Sequence, residues 1–132
     1  MTYMLDTNIC IYIMKHNKNV IRKFNEKRNN GIALSSITLA ELEYGICKSV
    51  SRENNERTLL SFLALVDILP FDDNAAIEYG KIRADLERKG KIIGSLDMLI
   101  AAHAKSNGYI IATNNADEFR RVDGLDVENW AD

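Results

Sequence analysis

The chain has little that could cross-link it, bind zinc or enter a membrane. Its 132 residues include two cysteines, two histidines and one proline. Cys10 and Cys47 stand far apart and match no zinc-ligand spacing, so they read as reduced thiols of a cytosolic protein. Neither sits in a nucleophile signature. The 46% hydrophobic content is enough to fill one core, which removes the need for a disulfide or a structural metal. No apolar run approaches the roughly 20 residues of a membrane helix. No basic segment followed by a long apolar stretch suggests a signal peptide. His16 lies in a polar, basic stretch and is expected at the surface, whereas His103, within Ala101-Ala102-His103-Ala104, reads as a packing residue. Two histidines without a supporting pattern argue against metal-free acid–base catalysis by a histidine pair. Gly90-x-x-x-Gly94 lacks the Lys-Ser/Thr of a phosphate-binding loop, so it is not a nucleotide site.

No repeat, low-complexity tract or interdomain linker interrupts the chain, and its length suits one domain spanning 1–132. Short apolar runs alternate with helical patterns. Strands are expected at Tyr3–Asp6, Ile32–Ser35, Asp67–Leu69, Ile110–Thr113 and Leu125–Val127. Helices are expected at Ile9–Lys15, Val20–Glu26, Thr38–Lys48, Glu53–Leu65, Asn74–Lys89 and Leu96–Asn107, with a short one at Ala116–Arg120. Ile77, Ile82 and Leu86 recur near helical spacing, as do Leu96, Leu99, Ile100 and Ala104, and Gly90 and Gly108 end these two helices. Strands separated by helices imply an α/β fold with a parallel sheet, right-handed crossovers and helices on both faces.

Acidic residues beside strand ends and helix starts are the feature that points to chemistry. Asp6 closes the first apolar run. Glu41 lies about one helical turn beyond Ser35 and Ser36. Asp97 opens the helix leading to the fourth strand. One member of the Asn115–Glu118 group follows Thr113-Asn114. In open parallel sheets ligands bind beyond the carboxyl ends of the strands, so adjacency of the first and fourth strands would bring these groups together. Carboxylates from distant segments share a site with a compensating cation, and hard oxygen ligands select Mg²⁺ or Mn²⁺. Each acid has a local alternative. Asp6 suits a helix N-cap, and Thr38-x-x-Glu41 matches a capping box. Asp97, behind Ser95 as N-cap, suits the first-turn dipole, as do Asp117 and Glu118. Net charge is −2, which announces no nucleic-acid partner. Basic residues still cluster at Lys15/Lys18, Arg22/Lys23, Lys27/Arg28, Arg83/Arg88/Lys89/Lys91 and Arg120/Arg121. Most read as solvated helix faces, with one or two available to steer a phosphate backbone.

Read as an ordered set, these residues resemble the PIN-domain proteins, and among them the VapC toxins of VapBC type II toxin–antitoxin systems. The resemblance runs through Met4-Leu5-Asp6-Thr7-Asn8 and Ser35-Ser36-Ile37-Thr38-x-x-Glu41-Leu42-x-Tyr44-Gly45. It continues in Ile82-Arg83-Ala84-x-Leu86-x-x-x-Gly90 and Ile93-Gly94-x-x-Asp97-x-x-Ile100-Ala101-x-His103-Ala104. It ends with Thr113-Asn114-Asn115-x-x-x-Phe119 and Glu128-Asn129-Trp130, the latter similar to enteric VapC proteins. It implies a PIN-like three-layer α/β/α sandwich around a mostly parallel sheet of about five strands. It also implies a ribonuclease using Mg²⁺ or Mn²⁺. Asp6, Glu41 and Asp97 match the family's acidic triad. The fourth family acid follows Thr-Asn directly, where this chain has Asn115. Glu118 is then the expected replacement, Asp117 a weaker one, and Asn115 can still ligate through its carbonyl oxygen. Thr7, Asn8 and Thr113 resemble the family's supporting polar residues, which orient carboxylates or water.

The resemblance further implies a homodimer and a VapB-type antitoxin, with operator DNA reached only through the antitoxin in a higher assembly. The antitoxin's C-terminal segment would cross the site, offer an Arg or Lys to the carboxylates, and rest on apolar helix faces including Ile9, Ile11 and Tyr12. A tRNA substrate is implied, initiator tRNA cut in the anticodon loop being favoured, and a cytoplasmic location without membrane attachment. Three other readings compete. They are a PIN scaffold that binds RNA or protein without cutting, a structure-specific DNA nuclease, and a phosphotransfer domain with Asp6 as nucleophile. The last lacks a second Asp at position 8, which is Asn, and any Lys-bearing motif.

Overall fold

Tyr3, Met4 and Leu5 form β1 (Tyr3–Leu5), a strand buried on both faces. The computed structural model describes residues 2–131. β1 lies at the centre of a five-stranded sheet with β2 (Ile32–Ser35), β3 (Asp67–Leu69), β4 (Ile110–Thr113) and β5 (Val127–Asn129), in the order β3-β2-β1-β4-β5. Every pairing is parallel. α1 (Thr7–Met14), α2 (Lys18–Lys27) and a 3₁₀ turn (Arg28–Asn30) join β1 to β2. α3 (Ser36–Cys47) and α4 (Arg52–Leu63) join β2 to β3, α5 (Asp73–Lys89) and α6 (Ser95–Asn107) join β3 to β4, and α7 (Ala116–Phe119) precedes β5.

The pleat divides the core in two. Tyr3, Leu5, Ile32, Leu34 and Ala112 face Ile9, Val20, Phe24, Leu42, Leu59 and Phe62. Met4, Ala33 and Ile111 face Ile82, Leu86, Met98, Ile100 and Phe119. Alternate residues of each strand therefore serve opposite helix layers, which makes the three-layer α/β/α sandwich. The chain winds from β1 outward to β3, then returns to place β4 on the other side of β1. That reversal creates a switch point between the carboxyl ends of β1 and β4.

Strand and helix identities follow the sequence expectations, and the differences have local causes. β1 stops at Leu5 because Asp6 turns out to cap α1, which begins two residues earlier than expected. α3 starts at Ser36, since the Ser35 hydroxyl accepts the Ile37 N–H. Thr38 is therefore inside the helix, and Thr38-x-x-Glu41 is not a capping box. α6 likewise starts at Ser95, with Gly94 in the cap position and no side chain capping it. β5 begins two residues late because the turn through Gly124, at φ 78°, closes with Leu125 N–H on Val122 O. Ile77 is exposed: Ala75, Ile82 and Leu86 form the buried stripe of α5, and Ile77 lies about 200° around the helix from Ala75. Leu96 is also exposed, in the first turn of α6, while Met98 and residues 100–104 are buried. Gly90 and Gly108 close α5 and α6 in the left-handed conformation, as expected.

Candidate active site

Asp6 is the single residue between β1 and α1, at the switch point. Its backbone N–H stays in register with β4, donating to Ala112 O at 3.0 Å. Its side chain is shared: Oδ1 accepts the Ile9 N–H at 2.9 Å and Oδ2 accepts the Thr113 hydroxyl. Thr113 Oγ1 in turn accepts the Asn115 N–H at 2.8 Å. Asp6 is thus an N-cap whose second oxygen is turned across the sheet to the end of β4. Each carboxylate oxygen keeps a further lone pair after these bonds.

Asp6 is only 3% exposed. Burial raises its carboxyl from 3.8 to about 6, against the lowering effect of the Thr113 and Ile9 hydrogen bonds, and the charges of Asp97 and Glu41 push it further up. The Asp97 carboxyl is raised too, first by burial and then by Glu118 and Glu41. Asp6 follows β1, Glu41 lies on α3, Asp97 on α6 and Glu118 on α7, so four separate segments deliver carboxylates that feel one another.

Neutral side chains hold this group in place. Thr7 donates its hydroxyl to Glu41 Oε1 at 2.7 Å, and the Asn115 amide donates to Glu118 Oε2 at 2.8 Å. The Asn115 amide nitrogen is therefore turned to Glu118. Asp117 points away, exposed and beside Arg120 at 4.0 Å, which separates it from Glu118 as a site residue. Asn8 is exposed and enters no side-chain hydrogen bond among the described residues. Gly94 lies against Asp97: a Cβ there would sit 3.4 Å from Asp97 Oδ2. Buried Cys10 is no nucleophile, since burial and the charge of Asp6 push its thiol up.

Among the described residues, no salt bridge involves Asp6, Glu41, Asp97 or Glu118. The ion pairs lie elsewhere, as with Lys81 and Glu78, Arg83 and Glu87, Arg88 and Asp85, and Lys89 with both Asp85 and Asp123. Among the described residues no three His, Cys, Asp or Glu side chains form a closed metal cluster. The donor chemistry nevertheless fits a hard divalent cation. All donors are oxygen, their charges repel, and Asp97 together with one oxygen each of Glu41 and Glu118 is uncommitted to hydrogen bonds among the described residues.

A groove of about 580 Å³ opens at Glu41 between α1, α3 and α4. Ile11, Met14, Leu42 and Ile46 line it, with Lys15, His16 and Lys48 also on its walls. Ile9, expected on an exposed apolar face, is fully buried and contributes nothing to it. His16 is exposed as expected and adopts a positive φ of 61°. Two contacts near the site escaped the sequence reading. His103 Nδ1 meets Ser35 Oγ at 2.8 Å, and the Asn114 amide donates to the Tyr12 hydroxyl at 3.3 Å. The placement of Ser35 at a strand end was the available signal for the first, and the second had none.

Comparison with known proteins bears on the fold that carries these residues. The family described as PIN domain matches residues 3–125. The chain is 46% identical to Ribonuclease VapC2 of Rickettsia felis, with 98% of each chain covered. It is 43% identical to the tRNA(fMet)-specific endonuclease VapC of Shigella flexneri, again over 98% of both. Among solved structures it is similar to the crystal structure of VapBC2 from Rickettsia felis bound to a DNA fragment from their promoter. That match has a TM-score of 0.94 and 44% identity, covering 98% of this chain and 99% of the other. DNA-bound VapBC from Salmonella typhimurium gives a TM-score of 0.92 at 41% identity over 98% of each.

Proposed function

The chain belongs to the PIN-domain family, in its VapC branch, and on that premise we propose that it is a divalent-metal-dependent endoribonuclease acting as the toxin of a type II toxin–antitoxin pair. One observation carries the reading: carboxylates from four segments around the switch point lie close enough to raise the Asp6 and Asp97 carboxyls, and among the described residues no basic side chain pairs with them. Asp6 and Asp97 are the principal ligands of a Mg²⁺ or Mn²⁺ ion, joined by Glu41 and Glu118. Asn115 acts through Glu118, which its amide orients. Thr113 and Thr7 fix the Asp6 and Glu41 carboxylates, and Asn8 is left for substrate. A bound divalent ion supplies charge neutralisation at the phosphate and Lewis-acid activation for hydrolysis.

The chain's own residues supply the rest. Asp6, titrating at about 6, is mostly ionised at neutral pH even without a cation, so a divalent ion would relieve the unfavourable charge it holds beside Asp97, and a phosphodiester would complete the ion's coordination. The substrate we favour is tRNA, initiator tRNA cut in its anticodon loop, following a relative named tRNA(fMet)-specific endonuclease. Single-stranded loop bases can splay out to bring one phosphodiester to a shallow edge site. The partner is a VapB-type antitoxin, by likeness to VapBC complexes. Its segment lies along the groove at Glu41, where Ile11 and Met14 offer apolar contact. The working form is a homodimer in the cytoplasm, with operator DNA bound through the antitoxin. Among the described residues no helix is long and apolar enough to cross a membrane.

The test is incubation of purified protein with total RNA and Mg²⁺ or Mn²⁺, with fragment ends read by sequencing. A discrete cut in one tRNA, lost in EDTA and in Asp6→Asn, is the expected result. Metal-independent cleavage, or full activity of Asp6→Asn, would sink the mechanism. No cleavage with metal bound would favour a non-catalytic PIN scaffold.

A further inference from the structure

His103 is fully buried in α6, the helix that carries Asp97, yet it is not packed as an apolar residue. Its Nδ1 lies 2.8 Å from Ser35 Oγ. Ser35 is itself fully buried, ends β2 and caps α3, the helix that carries Glu41, by accepting the Ile37 N–H at 3.1 Å. Because Ser35 Oγ already accepts from Ile37, the arrangement that leaves no hydroxyl proton unpaired has Ser35 donating to Nδ1. His103 is then neutral, with its proton on Nε2. Phe71 packs edge-on against the imidazole, ring centroids 5.5 Å apart, and its N–H is held by Ser36 Oγ at 3.0 Å, the next residue of α3. The ring is thus fixed on one side by the α3 cap and on the other by the loop before α5. α3 packs on α6, and this hydrogen bond is a direct side-chain link from the Asp97 helix to the start of the Glu41 helix.

We infer that His103 is a positioning residue for the metal site, acting through Ser35 to set the Glu41 helix relative to the Asp97 helix. The inference rests on the reading of Glu41 and Asp97 as ligands. A carboxylate six residues along α3 from its cap moves with that cap, because a helix transmits a shift of its first turn as a rigid body. An apolar residue of similar volume would fill the space and lose the link. An asparagine would keep an acceptor for the Ser35 hydroxyl.

Binding of Mn²⁺ alone, measured by titration with the free ion read by electron paramagnetic resonance, separates these cases. Thermal unfolding in EDTA identifies the folded variants. His103→Leu and Ser35→Ala are each expected to weaken Mn²⁺ binding about 10-fold. The double variant should lose no more than either single change, because both remove the same link. His103→Asn should stay within about 3-fold of the unsubstituted protein, well inside the 10-fold loss set by removing an orienting partner. Unchanged affinity in His103→Leu, or a loss in His103→Asn with none in Ser35→Ala, would overturn the inference and make the residue a packing one. If His103 variants do not fold, Ser35→Ala decides alone, and normal binding by it overturns the inference. Unsubstituted protein that binds no Mn²⁺ would fail differently, by removing the metal reading itself.

Discussion

Replacing Asp6 with asparagine should stabilise the metal-free protein at neutral pH while removing a principal ligand of the proposed metal site. A carboxyl that titrates at about 6 when folded and at 3.8 when unfolded binds protons more tightly in the native state. The fold then pays no penalty below pH 3.8, acquires one as pH rises through that window, and bears all of it above about 6. At about 1.4 kcal/mol per pKa unit the full penalty is about 3 kcal/mol. Asparagine keeps a carbonyl oxygen for the Ile9 N–H but meets the Thr113 hydroxyl with an amide, a loss of about 1 kcal/mol. The net gain at pH 7.5 in EDTA is about 2 kcal/mol, or roughly 5–10 °C in Tm for a domain of this size. Near pH 4 the difference should disappear or reverse. Groups that do not act on Asp6, including His103, cancel to first order in the comparison, so it reads Asp6 together with the Asp97 and Glu41 charges coupled to it. Saturating Mn²⁺ should reverse the order, raising the Tm of the unsubstituted protein and leaving Asp6→Asn unmoved. An Asp6→Asn protein less stable than its parent at pH 7.5 in EDTA, with the same gap at pH 4, would refute the electrostatic account and leave Asp6 as a cap alone.

Two further outcomes follow from the fold. His16 closes α1 with φ 61°, its N–H on Ile13 O and the Asn17 N–H on Tyr12 O, the position where glycine is favoured. His16→Gly should stabilise the protein by about 1 kcal/mol, seen as a higher urea midpoint at constant m-value. A lower midpoint would show that the His16 side chain contributes more than its backbone costs. Of the two thiols, exposed Cys47 should react with a disulfide reagent in the native protein and Cys10 only after unfolding. Equal rates for both would contradict the burial of Cys10.

The centre of the sheet was legible because β1, β2 and β4 are buried almost throughout and mostly apolar. β2, β3 and β4 fall where the sequence put them, even though β3 is an exposed edge. Helix starts were less legible, since the deciding contact is one side-chain bond that several neighbours could make. Ser35 rather than Thr38 caps α3, and nothing in Ser35-Ser36-Ile37-Thr38 ranks the hydroxyls. Periodicity misassigned Ile77 because the α5 stripe runs through Ala75, a residue too small to announce itself. The candidate acids stood out because Asp6 follows a strand, Asp97 and Glu118 lie in the first turn of a helix, and Glu41 lies about a turn beyond a strand end. Their mutual influence required β4 to lie beside β1, which strand spacing alone does not dictate. The choice between Asp117 and Glu118 needed the chain's actual turn, which exposes one and hands the other to Asn115.

The residues that hold these carboxylates have one chemical property in common. Thr7, Thr113 and Asn115 each present a hydrogen-bond donor, and none brings a charge. An arginine or lysine in any of these places would also orient a carboxylate, and would lower its pKa and stabilise the fold. It would equally satisfy the site from within and compete with any cation arriving from outside. Neutral donors fix geometry while leaving the repulsion between Asp6, Asp97, Glu41 and Glu118 uncompensated. Burial first, and that repulsion after it, cost about 3 kcal/mol at Asp6, a large share of the 5–15 kcal/mol that keeps a domain folded. Such a cost persists in a chain only where something outside it completes the site. On the proposed reading, the burial and repulsion that weaken the isolated fold are also what a bound cation would relieve, so stability without the ion and affinity for it trade against each other.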